Sequence, residues 1–234
     1  MKARKILAMV AALALTAALA VGGTLAYLTS TDTVTNTFTV GNVQIKLDEA
    51  KVDANGKALA SGERVEGVAD TATAGNTYHL LPGHTYDKDP TVTVLQGSEE
   101  SYVRMLVTID KQDALDAIFA KLNEGKAENE KLTIKSVFGG GSADWNLVKE
   151  TENGDDTRTY EFRYKTTVKP AADKDAVLDD LFETITVPGG IDNTQLATIK
   201  GLSIKVVAQA IQADGFVADG AKTAADVAWE AFGA

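Results

Sequence analysis

From residue 159 to 168 the chain alternates in character at every step: Tyr160, Phe162, Tyr164, Thr166 and Val168 share one parity, and Glu161, Arg163, Lys165 and Thr167 the other. Successive side chains on an extended backbone leave on opposite sides, so a period of two marks a strand with one buried face. The alternation recurs in Val43-Ile45-Leu47, Val92-Val94, Val103-Met105-Val107-Ile109 and Leu202-Ile204-Val206-Ala208-Ala210. Leu132-Ile134, the stretch around Trp145-Leu147, and the Thr-, Phe- and Val-rich residues 36–40 are shorter candidates. About eight half-buried strands require a second layer to cover them, which predicts a mainly β fold, a jelly-roll-like β-sandwich.

A second periodicity interrupts the first. Leu115, Ile118, Phe119 and Leu122 stand at i, i+3, i+4 and i+7 ahead of Gly125, the spacing of one helical face. Leu178, Leu181, Phe182 and Ile185 repeat it before Pro188-Gly189-Gly190. Ala225, Ala228, Trp229 and Phe232 repeat it again, with Thr223 and Asp226 spaced as a capping box. Three inserted or terminal helices are therefore expected. Residues 53–76, rich in Gly, Ala, Asp and Thr, predict an irregular excursion. Gly139-Gly140-Gly141 reads as a flexible turn, and Asn153-Gly154-Asp155-Asp156 as the turn of a hairpin.

At the start, Lys2, Arg4 and Lys5 precede residues 6–21, a run of Ala, Leu, Ile, Met, Val and a single Thr. The run falls short of the roughly 20 apolar residues that cross a bilayer. Basic head, apolar centre and the small residues Thr24 and Ala26 instead predict a secretory signal peptide cut between Ala26 and Tyr27. The expected organisation is a signal peptide over 1–26, an N-terminal segment over 27–40 and one sandwich domain over 41–234. No permanent membrane anchor is expected after cleavage.

Removing Lys2, Arg4 and Lys5 would take the net charge from −10 to −13. Such a chain lacks the clustered cations that neutralise phosphates, so no nucleic-acid partner is expected. With no cysteine, an exported fold would have to hold through its core, without disulfides or thiolate metal sites.

The signal exit Gly22-Gly23-Thr24-Leu25-Ala26 is followed by Tyr27-Leu28, a Thr/Asp/Asn-rich spacer, and Phe38-Thr39-Val40-Gly41-Asn42-Val43-Gln44-Ile45-Lys46-Leu47. Over about residues 18–48 this resembles the TasA/camelysin family, exported proteins cut by a SipW-type signal peptidase. Leu81-Pro82-Gly83 ahead of Pro90-Thr91-Val92-Thr93-Val94 extends the likeness more loosely. The resemblance implies secretion to the Gram-positive cell surface or biofilm matrix and assembly into extracellular fibres, with copies of itself and with related matrix subunits. It also implies that the N-terminal segment of one subunit pairs as a strand with its neighbour. Tyr27, Leu28, Val34, Phe38 and Val40 are the apolar anchors of that segment, which contains no Pro and few charges. One departure from the family is the lack of a long Lys-rich tail.

Camelysin-like proteins are classed as metalloproteases, so an enzymatic reading stands beside the structural one. No His-Glu-x-x-His is present, and the two histidines, His79 and His84, flank a helix-breaking Pro-Gly. They could meet across a turn, with Asp87 or Asp89 completing a metal set; surface positions are the simpler expectation. No catalytic residue or cofactor is assigned. Asp87-Lys88-Asp89 reads as a solvated acidic turn. A carbohydrate-binding sandwich is a third reading, with Tyr78, Tyr86 and Tyr102 as stacking candidates and packing as their default.

Overall fold

A computed structural model describes residues 42–67 and 75–233; the expected cleavage site (Ala26, Tyr27) and anchors (Tyr27, Leu28, Val34, Phe38, Val40) lie outside these residues. The longest strand, β5 (Ser101–Asp110), alternates buried and half-buried residues over its whole length, as its sequence requires. It pairs antiparallel with β8 (Thr157–Tyr164) and β11 (Ile204–Gln212). β7 (Trp145–Glu152) joins β8 through the expected hairpin, completing a sheet of order β11-β5-β8-β7.

A second antiparallel sheet has order β2-β1-β4-β9: β1 (Ile45–Ala50), β2 (Arg64–Glu66), β4 (Thr91–Val94) and β9 (Ala176–Val177). A smaller third sheet has order β3-β10-β6: β3 (Thr85–Asp87), β6 (Phe138–Gly139) and β10 (Thr184–Thr186). Met105, Val107 and Ile109 of β5 and Val92 and Val94 of β4 are almost fully buried, so the apolar faces of the two larger sheets share one core. The expected mainly β sandwich is the fold, and its sheets do not close into a barrel.

Three α-helices accompany the strands among the described residues. α1 (Gln112–Leu122) buries Leu115, Ile118 and Phe119, as their spacing predicts. α3 (Ala224–Phe232) starts at the expected capping box, in which Thr223 accepts from Asp226 N–H and Asp226 accepts from Thr223 N–H. The second helix, α2 (Asn193–Thr198), was not expected. Its capping box, Asp192 with Gln195, precedes only six residues, too few to show an apolar period.

The helix expected over 178–185 does not form. Leu178, Leu181 and Phe182 are buried as predicted, but on an irregular backbone between β9 and β10. Leu178 N–H donates to Val92 O at 2.8 Å, Leu181 N–H to Pro90 O at 3.3 Å and Glu183 N–H to Gly139 O at 2.8 Å. In a helix Leu181 and Glu183 would have donated four residues back; here all three donors fasten the segment to β4, to Pro90 just before it, and to β6.

Three further expectations are corrected. Leu132-Ile134 is not a strand: Leu132 exchanges two hydrogen bonds with the Asn123 side chain, and Ile134–Val137 forms a 3-10 turn. β8 ends at Tyr164, and Val168 bridges separately to Ser101. Gly139-Gly140-Gly141 is not a free turn. Gly139 lies in β6, Gly140 has φ of 75°, and a Cβ on Gly141 would fall 2.4 Å from the Leu181 carbonyl oxygen.

Candidate assembly groove

The outer strands of the sheets differ in what they present to a passing chain. β7 carries Lys149, Glu150 and Glu152, and a bulge between Leu147 and Lys149 twists it. Charges and bulges both discourage edge-to-edge pairing. β2, β3, β6 and β9 are two or three residues long. β11 is different: nine residues in unbroken register with β5, one charge (Lys205), and no second partner strand among the described residues.

Beside β11 lies a groove of about 1360 Å³, with Val206 and Ala208 of β11, Ile45 and Leu47 of β1, and Leu115 and Phe119 of α1 as its apolar part and Glu49, Asn76 and Lys88 as a polar part of its wall. Ile204, Val206, Ala208 and Ala210 turn toward the core, yet all four are only half-buried. A long strand edge and an apolar trough therefore run together, which is the geometry for adding an extended segment. The sequence identified this strand but carried no signal that it would be an edge.

The opposite face of β11 is covered. Arg104 on β5 donates to Gln209 Oε1 at 2.7 Å and to Glu161 Oε1 at 3.3 Å, and its guanidinium lies 4.3 Å from the Trp229 ring centroid on α3. Arg163 links Glu161 (2.7 Å) to Asp226 (2.6 Å). Hydrogen bonds within the Thr223 cap, then the Arg163 guanidinium, hold the Asp226 carboxyl below the usual carboxylate range.

The metal candidates are placed apart in role. His79 and His84 are exposed on either side of the Pro82-Gly83 turn, and His84 stacks on Tyr86 with centroids 6.5 Å apart. Asp87 accepts from Lys57 Nζ at 2.8 Å and Ala58 N–H at 2.9 Å. Partial burial would raise its pKa, but those bonds outweigh it and hold the carboxyl low. Asp89 accepts from Ala50 N–H at 2.6 Å and from Arg64 at 2.8 Å. Both carboxylates are thus engaged by donors of this chain.

The candidate stacking residues are largely packed. Tyr86 is buried, and its hydroxyl donates to His79 O and accepts from Leu81 N–H, both at 2.7 Å. Tyr78 and Tyr102 are half-buried; Tyr78 meets Tyr86 edge-to-face at 5.9 Å. Lys88, expected in a solvated turn, is instead 7% exposed and paired with Glu49 of β1. Its acidic neighbours in sequence gave no sign of this, because the partner lies 39 residues away.

A model of the family described as camelysin metallo-endopeptidase matches residues 2–68, so the resemblance to TasA/camelysin proteins holds over that part of the chain. Comparison with curated proteins and with solved structures returns no match. The matched stretch contains neither histidine nor cysteine, and no group of three or more His, Cys, Asp or Glu able to hold a metal occurs among the described residues. The residues described do not fit the zinc set that a metallo-endopeptidase requires.

Proposed function

We propose that this protein is a secreted structural subunit of an extracellular fibre, in which residues 27–40 of one copy pair with β11 of the next. The open β11 edge beside the apolar part of its groove carries the reading. Val34, Phe38 and Val40 share one parity in the donor segment, so an extended backbone would direct all three into the groove while its N–H and C=O groups pair with β11. The single charge on β11 and the few in the donor match a contact that excludes water. Export through the predicted signal peptide and processing by a SipW-type peptidase would free Tyr27 for this role.

Negative-stain electron microscopy of the chain beginning at Tyr27, across protein concentration and pH, tests the proposal. Regular filaments from this chain, and folded monomers from a chain lacking residues 27–40, are the expected pair of results. Filaments from the shortened chain would refute donation by this segment.

The camelysin match favours a second reading, a surface metallo-endopeptidase. Stoichiometric zinc in the purified protein, lost on replacing His79 and His84, would support it over the structural role.

A further inference from the structure

At one end of the groove wall, three polar side chains converge from distant parts of the chain. Lys88, between β3 and β4, is anchored by its N–H to Glu183 O at 2.8 Å, and its ammonium donates to Glu49 Oε2. The other oxygen of that carboxylate, Oε1, accepts from Asn76 Nδ2 at 3.0 Å. Asn76 Nδ2 also donates to Ala50 O at 2.7 Å, and Asn76 Oδ1 accepts from Val52 N–H at 3.0 Å. Two acceptors on one side of the amide and a donor on the other fix its orientation.

The carboxylate therefore bridges an amine and the amide nitrogen of a carboxamide, and the carboxamide oxygen rests on a backbone N–H. Tyr78 and Tyr86 stand beside them as an aromatic wall. Nucleophile, proton carrier, leaving group and oxyanion donor are all present, gathered around the one Glu49 carboxylate.

We propose that Lys88 and Asn76 join in an intramolecular amide bond, with Glu49 moving the protons. Along the existing hydrogen bond, the Lys88 ammonium passes a proton to Glu49, leaving a neutral amine and a carboxylic acid. Rotation of the flexible Lys88 stem brings Nζ onto Asn76 Cγ, and the bond that forms places negative charge on Oδ1 beneath Val52 N–H. Glu49 protonates Nδ2 and takes a proton from Nζ; the Cγ–Nδ2 bond breaks and ammonia departs, carrying the last proton as ammonium. An ammonium and a carboxamide become a secondary amide and ammonium, and Glu49 ends as the carboxylate it began as. No oxidant or cofactor takes part. The bond would close residues 76–88 into a loop, a covalent staple in a chain that has no cysteine.

Mass spectrometry of the purified full-length chain, with its N-terminus identified, tests this. The expected intact mass is that of the sequence less one ammonia. Trypsin should fail to cut after Lys88, giving a peptide over 65–104 with no backbone fragments between 76 and 88. Glu49→Gln keeps the shape but carries no proton, and should restore the full mass. An unmodified wild-type mass with cleavage after Lys88 would overturn the proposal, whatever the variant does. So would an ammonia loss that maps to a cyclic imide at Asn55-Gly56 or Asn153-Gly154. A cross-link that persists in Glu49→Gln would overturn the role of Glu49.

Discussion

Replacing Trp229 by alanine tests whether the C-terminal helix is part of the cooperative fold. Trp229 is 4% exposed, faces Arg104 at 4.3 Å and meets Phe232 edge-to-face at 5.6 Å. A buried tryptophan covers roughly 200 Å² of surface, worth about 5 kcal/mol at about 25 cal/mol per Å². A compact unfolded chain already hides part of that area, which brings the difference to about 3 kcal/mol. Loss of the cation–π contact adds about 1 kcal/mol. Arg104 remains hydrogen-bonded to Gln209 and Glu161, so no stranded charge adds to the total. The expected cost of about 4 kcal/mol lies within the usual range for a core tryptophan. Because the chain has two tryptophans, the variant leaves Trp145 as the only reporter, and Trp145 lies in β7, in the sheet that α3 covers. Urea unfolding followed by its fluorescence gives the difference directly. A loss below about 1 kcal/mol would refute the reasoning and mean that α3 undocks independently of the sheets.

Other perturbations separate the remaining roles. Val206→Asp places a charge in the groove at a half-buried site; it should abolish filaments while circular dichroism still reports a folded monomer, and filaments of normal yield would exclude β11 as the acceptor edge. Gly141→Ala drives a methyl group against the Leu181 carbonyl and should cost about 1–3 kcal/mol in urea unfolding, whereas a neutral result would restore the flexible-turn reading. Asp226 titrates below its unfolded value, so its contribution is present above the ordinary carboxylate pKa and lost as pH falls through the folded one. Asp226→Asn should therefore be less stable at neutral pH by up to about 1 kcal/mol, with the difference closing in acid; a gap that widens in acid would contradict the sign. Asp180 is the opposite case. Burial raises its pKa, more than the Thr91 hydroxyl at 2.5 Å lowers it, and the neighbouring Asp89 charge raises it further. Its folded state binds the proton more tightly, so stability falls as pH rises from the unfolded to the folded value, and Asp180→Asn should flatten that part of the profile in thermal melts across pH.

Much of the fold is written in local periodicity. The alternation at Val103-Met105-Val107-Ile109 is β5, and Thr223 with Asp226 starts α3, because each signal depends on residues close in sequence. The same logic misassigned Leu178-Leu181-Phe182-Ile185. Leu178, Leu181 and Phe182 are buried as predicted and Ile185 is half-buried in β10, but distant partners, Val92 O, Pro90 O and Gly139 O, claim the backbone donors and override the helical period.

By itself, then, the sequence determined an alternating, two-sided chain that must form a layered β structure, the apolar stripes of α1 and α3, the cap of α3, and a core without disulfides. Only the tertiary structure decided that, among the described residues, β11 lies at a sheet edge beside a groove, while β5, of similar pattern, is paired on both sides. Only it decided that Lys88, flanked by two aspartates, turns inward to Glu49 and Asn76. Strand order and long-range charge pairing depend on which segments meet across the chain. A period of two reports which face of a strand is buried and carries no information about the neighbour on either side.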